Sequence, residues 1–271
     1  MHFSVLMSVY EKDDPKYFHV AMESVFNQTV KSTEVVLVVD GPVPQTLFQI
    51  IQLLQAEHQN LKVFHLEKNR GHGEARRTAL EKCTHELVAV MDSDDISVPE
   101  RFEKELRCFE SDKDLSVVGG CIQEFEGDMD NIIGVRKVPL EDHEIKQFLK
   151  SRCPFNQMTV MFKKSHVDRV GGYIDWYCEE DYYLWIRMSL AGCKFKNLPK
   201  TLVNVRMSSD SYLRRSGWRY FKSEAALQVY MYRNKVINVF RLISNIVIRF
   251  IVQLLIPNRL RKWMFKKFFR A

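Results

Sequence analysis

Along the first 120 residues the hydrophobic pattern changes period repeatedly. FSVLMSVY (3–10), EVVLVVD (34–40), LKVFHL (61–66), ELVAVMD (86–92) and LSVVGG (115–120) are short, β-branched and nearly continuously apolar. Between them, residues 15–28, 45–58, 73–83 and 99–111 place apolar side chains at three- and four-residue intervals. Runs of the first kind are buried strands and stretches of the second are amphipathic helices. Strands apolar on both faces, joined through helices by short connections, predict a doubly wound α/β fold with a mostly parallel sheet covered on both sides. The second half is less regular. Strand-like segments at 132–138, 157–163, 194–198 and 202–207 accompany helical patterns near 141–150, 165–170 and 179–191. No Pro/Ser/Gly-rich linker interrupts this region, so residues 1–220 read as one domain and 221–271 as a helical tail.

The tail is where charge changes the picture. Residues 1–224 hold all 34 acidic side chains against 30 of the 40 Lys and Arg, a balance of −4, whereas the last 47 residues carry +10. From Val236 to Ile256 the chain is mostly apolar, but Asn238, Arg241, Asn245, Arg249 and Gln253 recur every three or four residues and form one polar stripe on a helix. Arginines within it disfavour a membrane span, and a helix lying in the interface accommodates them. Beyond Pro257, six cations from Arg259 to Arg270 interleave with Trp263, Phe265, Phe268 and Phe269. Cations and rings in alternation suit an anionic membrane surface or nucleic acid. The apolar helix before them favours the membrane, so no nucleic-acid partner is expected; packing on the body or on another subunit is the plainer alternative. Six cysteines without a C-x-x-C pair indicate reduced thiols in a cytosolic protein. The apolar N-terminus reads as a strand, since it lacks the flanks of a secretory signal.

Composition is that of a globular chain, and the candidate chemistry lies in three acidic or glycine-bearing clusters. Asp40 ends one strand and Asp92 another, the latter followed by Ser93, Asp94 and Asp95. Parallel pairing would bring both ends to the sheet edge where α/β folds bind ligands. Three carboxylates within four residues repel one another unless a cation is present, and Mg²⁺ or Mn²⁺ takes such oxygens together with substrate phosphates. Taken alone, the same residues make a turn. Asn69, Arg70, Gly71, His72, Gly73, Glu74, Ala75 and Arg76 lead from a strand into a helix, where glycine admits close backbone approach and arginine can meet phosphate; a plain helix-opening turn explains them equally. Glu179, Glu180 and Asp181 precede Tyr182, Tyr183 and Trp185. Acids at a helix start are favoured by its dipole, while aromatic surroundings could desolvate one of them for general-base work.

In combination, SVLMSVY (4–10), VVLVVDG (35–41), NRGHGEAR (69–76), MDSDD (91–95) and EEDYYLWIR (179–187) resemble the inverting glycosyltransferases of family 2, and the chain is similar to those of bacterial exopolysaccharide and O-antigen synthesis, amylovoran-type enzymes among them. The resemblance implies the GT-A fold and transfer of one sugar from a nucleotide-sugar donor, most often a UDP-hexose, to a lipid-linked saccharide. It implies donor contacts from Ser8, Val9, Tyr10, Asp40, Asn69, Gly71, Arg76 and Asp92, with Asp94 on Mn²⁺ or Mg²⁺. It further implies Asp181 as catalytic base and Glu180 beside it. No Q-x-x-R-W sequence is present, so non-processive transfer is expected. The expected setting is cytoplasmic, peripherally attached to the inner face of the plasma membrane. A sugar-nucleotide-binding protein without turnover and a nucleotidyltransferase are the rival readings.

Overall fold

Strand β2 (Glu34–Val39) shows why its sequence does not alternate: Val35, Leu37 and Val39 pack into one helical layer and Val36 and Val38 into the other. The computed structural model describes residues 1–207 and 217–256. In it β1 (Phe3–Val9) pairs in parallel with β2 on one side and with β4 (Leu87–Val90) on the other, and β3 (Leu61–His65) extends the sheet beyond β2. Helices α1 (Pro15–Phe26), α2 (Gln45–Glu57) and α4 (Arg101–Ser111) bury Phe18, Leu47, Phe102 and their neighbours against one face. On the other face lie α3 (His72–Lys82), α5 (Asp142–Leu149), α6 (Lys164–Arg169) and α7 (Glu180–Leu190), with Ala79, Leu149, Val167 and Trp185 in the core. The doubly wound first half is therefore as its periodicity predicts.

The second half makes the sheet mixed rather than mostly parallel. Strand β8 (Met161–Lys163) inserts between β4 and β6 (Leu115–Phe125), antiparallel to both. Strand β9 (Lys194–Arg206) runs parallel to β6, while β5 (Ile96–Ser97) and β7 (Ile132–Arg136) add antiparallel pairings to β9 and β6. A three-residue buried strand carries no signal of direction, because periodicity reports burial and not orientation. The two strand-like segments around Pro199 are one strand, with a register shift in the β6 pairing at this point that absorbs the missing donor.

Helix α8 (Gly217–Arg233) runs without a break across the expected boundary at residue 220, and α9 (Val239–Phe250) continues into a π-helical turn, Ile251–Leu255. The expected helix over 236–256 starts later because Asn238 caps it, its side chain accepting from the Arg241 amide at 2.9 Å. Its polar stripe faces the body. Asn245 donates to the Lys150 carbonyl and to Gln228, Arg249 to the Ser151 carbonyl at 2.7 Å, and Gln253 to Glu224. The apolar side is left outward, with Phe240 79%, Ile243 56% and Leu255 61% exposed. No helix among the described residues is long and apolar enough to cross a membrane. The aromatic and basic end after Pro257 lies outside the described residues. All six cysteines are free thiols.

Candidate active site

Because β1, β2 and β4 are parallel, with Val9 opposite Val39 and Leu6 opposite Val90, the residues that follow them leave from one edge of the sheet. Asp40 donates its amide to the Val9 carbonyl at 2.8 Å, which seats it beside Ser8, Val9 and Tyr10. Its buried carboxylate accepts from the Arg70 amide at 2.7 Å and the Gly71 amide at 3.0 Å, tying the end of β2 to the loop that opens α3. Gly41 follows at φ +86°, and a Cβ there would stand 2.5 Å from the Asn69 nitrogen, so this turn requires glycine. Exposed Asn69 accepts from Gly71 at 3.1 Å.

Arg76 joins the acidic loop after β4 to the start of α7, reaching Glu180 across 104 residues of sequence. It is 4% exposed, and its Nη2 donates to Asp92 at 2.8 Å while Nη1 donates to Glu180 at 3.0 Å. The family resemblance counts this arginine among the donor contacts; here both of its terminal nitrogens are committed to carboxylates and it is buried between them. Burial alone would raise the Asp92 carboxyl; the Arg76 charge and hydrogen bond, with the charges of His72 and Arg101, together outweigh it and hold the group below the usual range. For Glu180 burial wins over Arg76, helped by the adjacent Asp181 charge, and pushes it up to about 7. Gly73 permits the close approach of these elements, since a Cβ would come within 3.2 Å of Asp175 Oδ1 and 3.6 Å of Glu180 Cβ. Asp181 accepts from the Tyr182 amide at 2.7 Å, and the Cys153 thiol lies 3.9 Å from its Oδ2.

After β4, Asp94 is half-buried and Asp95 buried, the latter accepting from the Arg206 amide at 2.9 Å. Burial, then the charges of Asp94 and Asp92, push Asp95 well above the usual carboxylate range. Hard oxygen donors crowded in this way fit a divalent ion such as Mn²⁺ or Mg²⁺, which would offset the accumulated charge. The one group of three possible ligands already within 4.8 Å among the described residues, Glu23, Glu57 and His58, lies at the C-terminal ends of α1 and α2, away from this edge.

Two supports escaped the sequence reading. Arg206, at the end of β9, donates Nε to the Asp94 carbonyl at 3.4 Å while its guanidinium stacks 3.8 Å from the Tyr17 ring centroid and 4.6 Å from that of Phe125. Arg101 is fully buried, pairs with Glu105 at 3.1 Å and donates to the carbonyls of Val90 and Val160, fixing the strand end from which Asp92 departs. Spaced four apart on a helix, Arg101 and Glu105 look like a surface pair in sequence; only the tertiary structure shows them inside.

A doubly wound sheet with acidic loops after neighbouring parallel strands, faced by the acidic start of a later helix, has the architecture of the GT-A fold. The chain belongs to glycosyl transferase family 2, whose model matches residues 4–170. It is 41% identical over 225 residues to the amylovoran biosynthesis glycosyltransferase AmsE of Erwinia amylovora, covering 83% of this chain and 84% of that one. It is 38% identical over 268 residues to the Escherichia coli UDP-Gal:α-D-GlcNAc-diphosphoundecaprenol β-1,3-galactosyltransferase, covering 99% and 96%. Among solved structures, a mannosyltransferase of Pyrobaculum calidifontis in complex with GDP-Man and Mn²⁺ superposes with a TM-score of 0.64 at 14% identity, over 86% of this chain and 64% of that one. The last likeness speaks for the fold.

Proposed function

We propose that this chain transfers a single sugar, with inversion, from a UDP-sugar to a saccharide carried on a polyprenyl diphosphate during assembly of a bacterial surface polysaccharide. The observation that carries the reading is the Arg76 bridge, which gathers Asp92 at the end of β4 and Glu180 at the start of α7 into one site. The printed activity of the E. coli relative supports the donor and acceptor classes. In this reading Ser8, Val9, Tyr10 and Asp40 receive the nucleobase, Asn69 and Gly71 line the donor path, and Asp92 meets the ribose or donor sugar. Asp94 would hold Mn²⁺ or Mg²⁺, which when bound supplies positive charge against the departing nucleoside diphosphate. Asp181 takes the proton of the acceptor hydroxyl as its oxygen bonds to C1 and the C1–O–phosphate bond breaks on the opposite face; such general-base help is worth roughly 10²- to 10⁴-fold. Glu180 orients this pair, and Arg76 acts through both carboxylates as a positioning residue.

The test is a screen of sugar nucleotides with Mn²⁺, read as nucleoside diphosphate release, on wild type, Asp94→Ala and Asp181→Asn. The expected result is release by wild type and a loss of roughly 10²-fold or more in Asp181→Asn with donor affinity kept. Equal release by wild type and Asp181→Asn overturns it, and pyrophosphate release indicates a nucleotidyltransferase. The outward apolar face of α9 further supports peripheral attachment to the inner face of the plasma membrane. Replacing Phe240 and Ile243 by Ser should then reduce sedimentation with anionic vesicles, and unchanged sedimentation removes that part of the proposal.

A further inference from the structure

The loop over residues 173–179 leads into α7 and is held from two sides. On its inner side, a Cβ at Gly73 would come within 3.2 Å of Asp175 Oδ1, which sets the loop against the start of α3. On its outer side α8 clamps it. The Trp176 indole donates to the Ser223 carbonyl at 3.2 Å, the Ser223 hydroxyl donates to the Tyr177 carbonyl at 2.6 Å, and the Arg219 guanidinium stands 3.9 Å from the Tyr177 ring centroid. Although the loop is fixed in this way, Ile174 and Tyr177 are exposed, and so is Trp218 at the start of α8, by 54%. From Trp218 the apolar surface continues to the tail: its ring lies 5.3 Å from that of Phe221, and Phe221 lies 5.7 Å from Phe250, at the end of the outward face of α9. A contiguous exposed apolar surface marks an interaction site.

What covers this surface follows from its charge. Residues 217–256 hold six lysines and arginines and a single acid, Glu224, which is engaged by Arg249 at 3.2 Å and by Gln253. Lys222 lies 5.5 Å from the Trp218 ring centroid, much as Arg219 lies over Tyr177. The acids of the adjoining loop are placed elsewhere: Asp175 lies at Gly73, and Glu179 and Glu180 are buried. Tryptophan and tyrosine flanked by cations, at the margin of an apolar face, have the composition that sits between acyl chains and anionic headgroups. We infer that the membrane contact extends beyond α9 to Trp218 and Tyr177, so that an anionic bilayer meets the protein beside the start of α7. This rests on the peripheral attachment and on the role of Asp181 proposed above. Tyr177 stands four residues before Asp181, so an acceptor saccharide reaches the base while its hydrocarbon anchor stays in the bilayer.

Quenching of tryptophan fluorescence by phosphatidylcholine/phosphatidylglycerol vesicles, brominated at the headgroup end of their acyl chains, tests the assignment on the full chain. Trp263→Phe first removes the signal of the basic end. In that background the vesicles should quench emission, and adding Trp218→Phe should abolish most of the quenching. Lys222→Gln should weaken sedimentation with the same anionic vesicles by about fivefold and leave that with phosphatidylcholine alone unchanged. Equal quenching with and without Trp218, or wild-type affinity of Lys222→Gln for anionic vesicles, would overturn it. So would a lipid-free dimer that dissociates in Trp218→Ser, which would give this face to a second copy of the chain. Attachment through α9 is read separately: sedimentation that depends on Phe240 and Ile243 while Trp218 escapes quenching keeps that attachment and removes only this extension.

Discussion

The two edges of one sheet treat their buried carboxylates in opposite ways. At the amino edge, Glu34 at the start of β2 is 2% exposed, and it accepts from the Ser4 hydroxyl at 2.6 Å, the Thr84 amide at 2.6 Å, the Thr84 hydroxyl at 2.9 Å and Lys62 at 2.6 Å. Burial opposes its ionisation, but hydrogen bonds from Lys62, Ser4 and Thr84 outweigh it and hold the group down at about 2. At the carboxyl edge, Glu180 is pushed up to about 7 and Asp95 well above its ordinary range, because burial and like-charged neighbours exceed what Arg76 and the Arg206 amide return. One edge spends its polar contacts on stability. The other leaves like charges crowded together, which fits the cation and substrate of the proposed reaction.

The sharpest break of this contrast is Arg76→Met. It would leave half-buried Asp92 and buried Glu180 without their shared cation, and losing one partner of a buried pair costs about 3 kcal/mol. Denaturant unfolding should show that loss, and nucleoside diphosphate release should fall by roughly 10²-fold as the two acids lose their common geometry. A variant that keeps full turnover would show that the two clusters act independently of the bridge.

Next in size is Glu34→Gln, for which the displacement from 4.5 to about 2 corresponds to about 3 kcal/mol at neutral pH. Since the folded-state value is depressed, this stabilisation is complete above about pH 4.5 and disappears as pH falls toward 2. Urea unfolding of wild type and variant across that range should therefore give a difference that closes on acidification. Turnover of the folded variant at pH 7 should match wild type, because Glu34 lies at the edge remote from Asp40 and Asp92. A pH-independent difference would mean that packing, not ionisation, sets its contribution.

These edges were not equally legible in sequence. Asp40 and Asp92 could be placed because each ends an apolar run that admits only one reading, and parallel pairing follows from the helices between the runs. The direction of β8 could not, since Met161, Phe162 and Lys163 are too few to carry a pattern. The partners that tune the site were also hidden. Arg206 reaches Asp95 across 111 residues, and the Arg101–Glu105 pair has the spacing of a surface bridge. The tail shows a subtler limit: the stripe from Arg241 to Gln253 was visible as a stripe, but periodicity alone could not say that its polar side turns inward onto Ser151, Gln228 and Glu224.

A smaller effect sharpens the comparison from the cation's side. Mn²⁺ at ten times its dissociation constant should stabilise wild type by about 1.4 kcal/mol, through binding to the folded state alone. Thermal melts should show this shift in wild type and lose it in Asp94→Ala, whereas Glu34→Gln should keep it. A shift that survives Asp94→Ala would move the ion away from the carboxyl edge.

The smallest expected effect has the opposite sign from Glu34→Gln. Asp95→Asn keeps an oxygen for the Arg206 amide but removes a buried charge that Asp94 and Asp92 repel, so it should stabilise the fold by about 0.5–1 kcal/mol at neutral pH. A raised folded-state pKa means that the charge is costly above that value and costless once both folded and unfolded chains are protonated. The gain should therefore vanish below the ordinary carboxylate range, the reverse of a depressed group. It should also shrink when Mn²⁺ saturates the protein, because the cation then offsets the same repulsion. Denaturant unfolding at neutral and acidic pH, with and without Mn²⁺, measures all of these differences. If Asp95→Asn is destabilising under every condition, Asp95 is held as Glu34 is, and the two edges differ in their residues but not in their electrostatics.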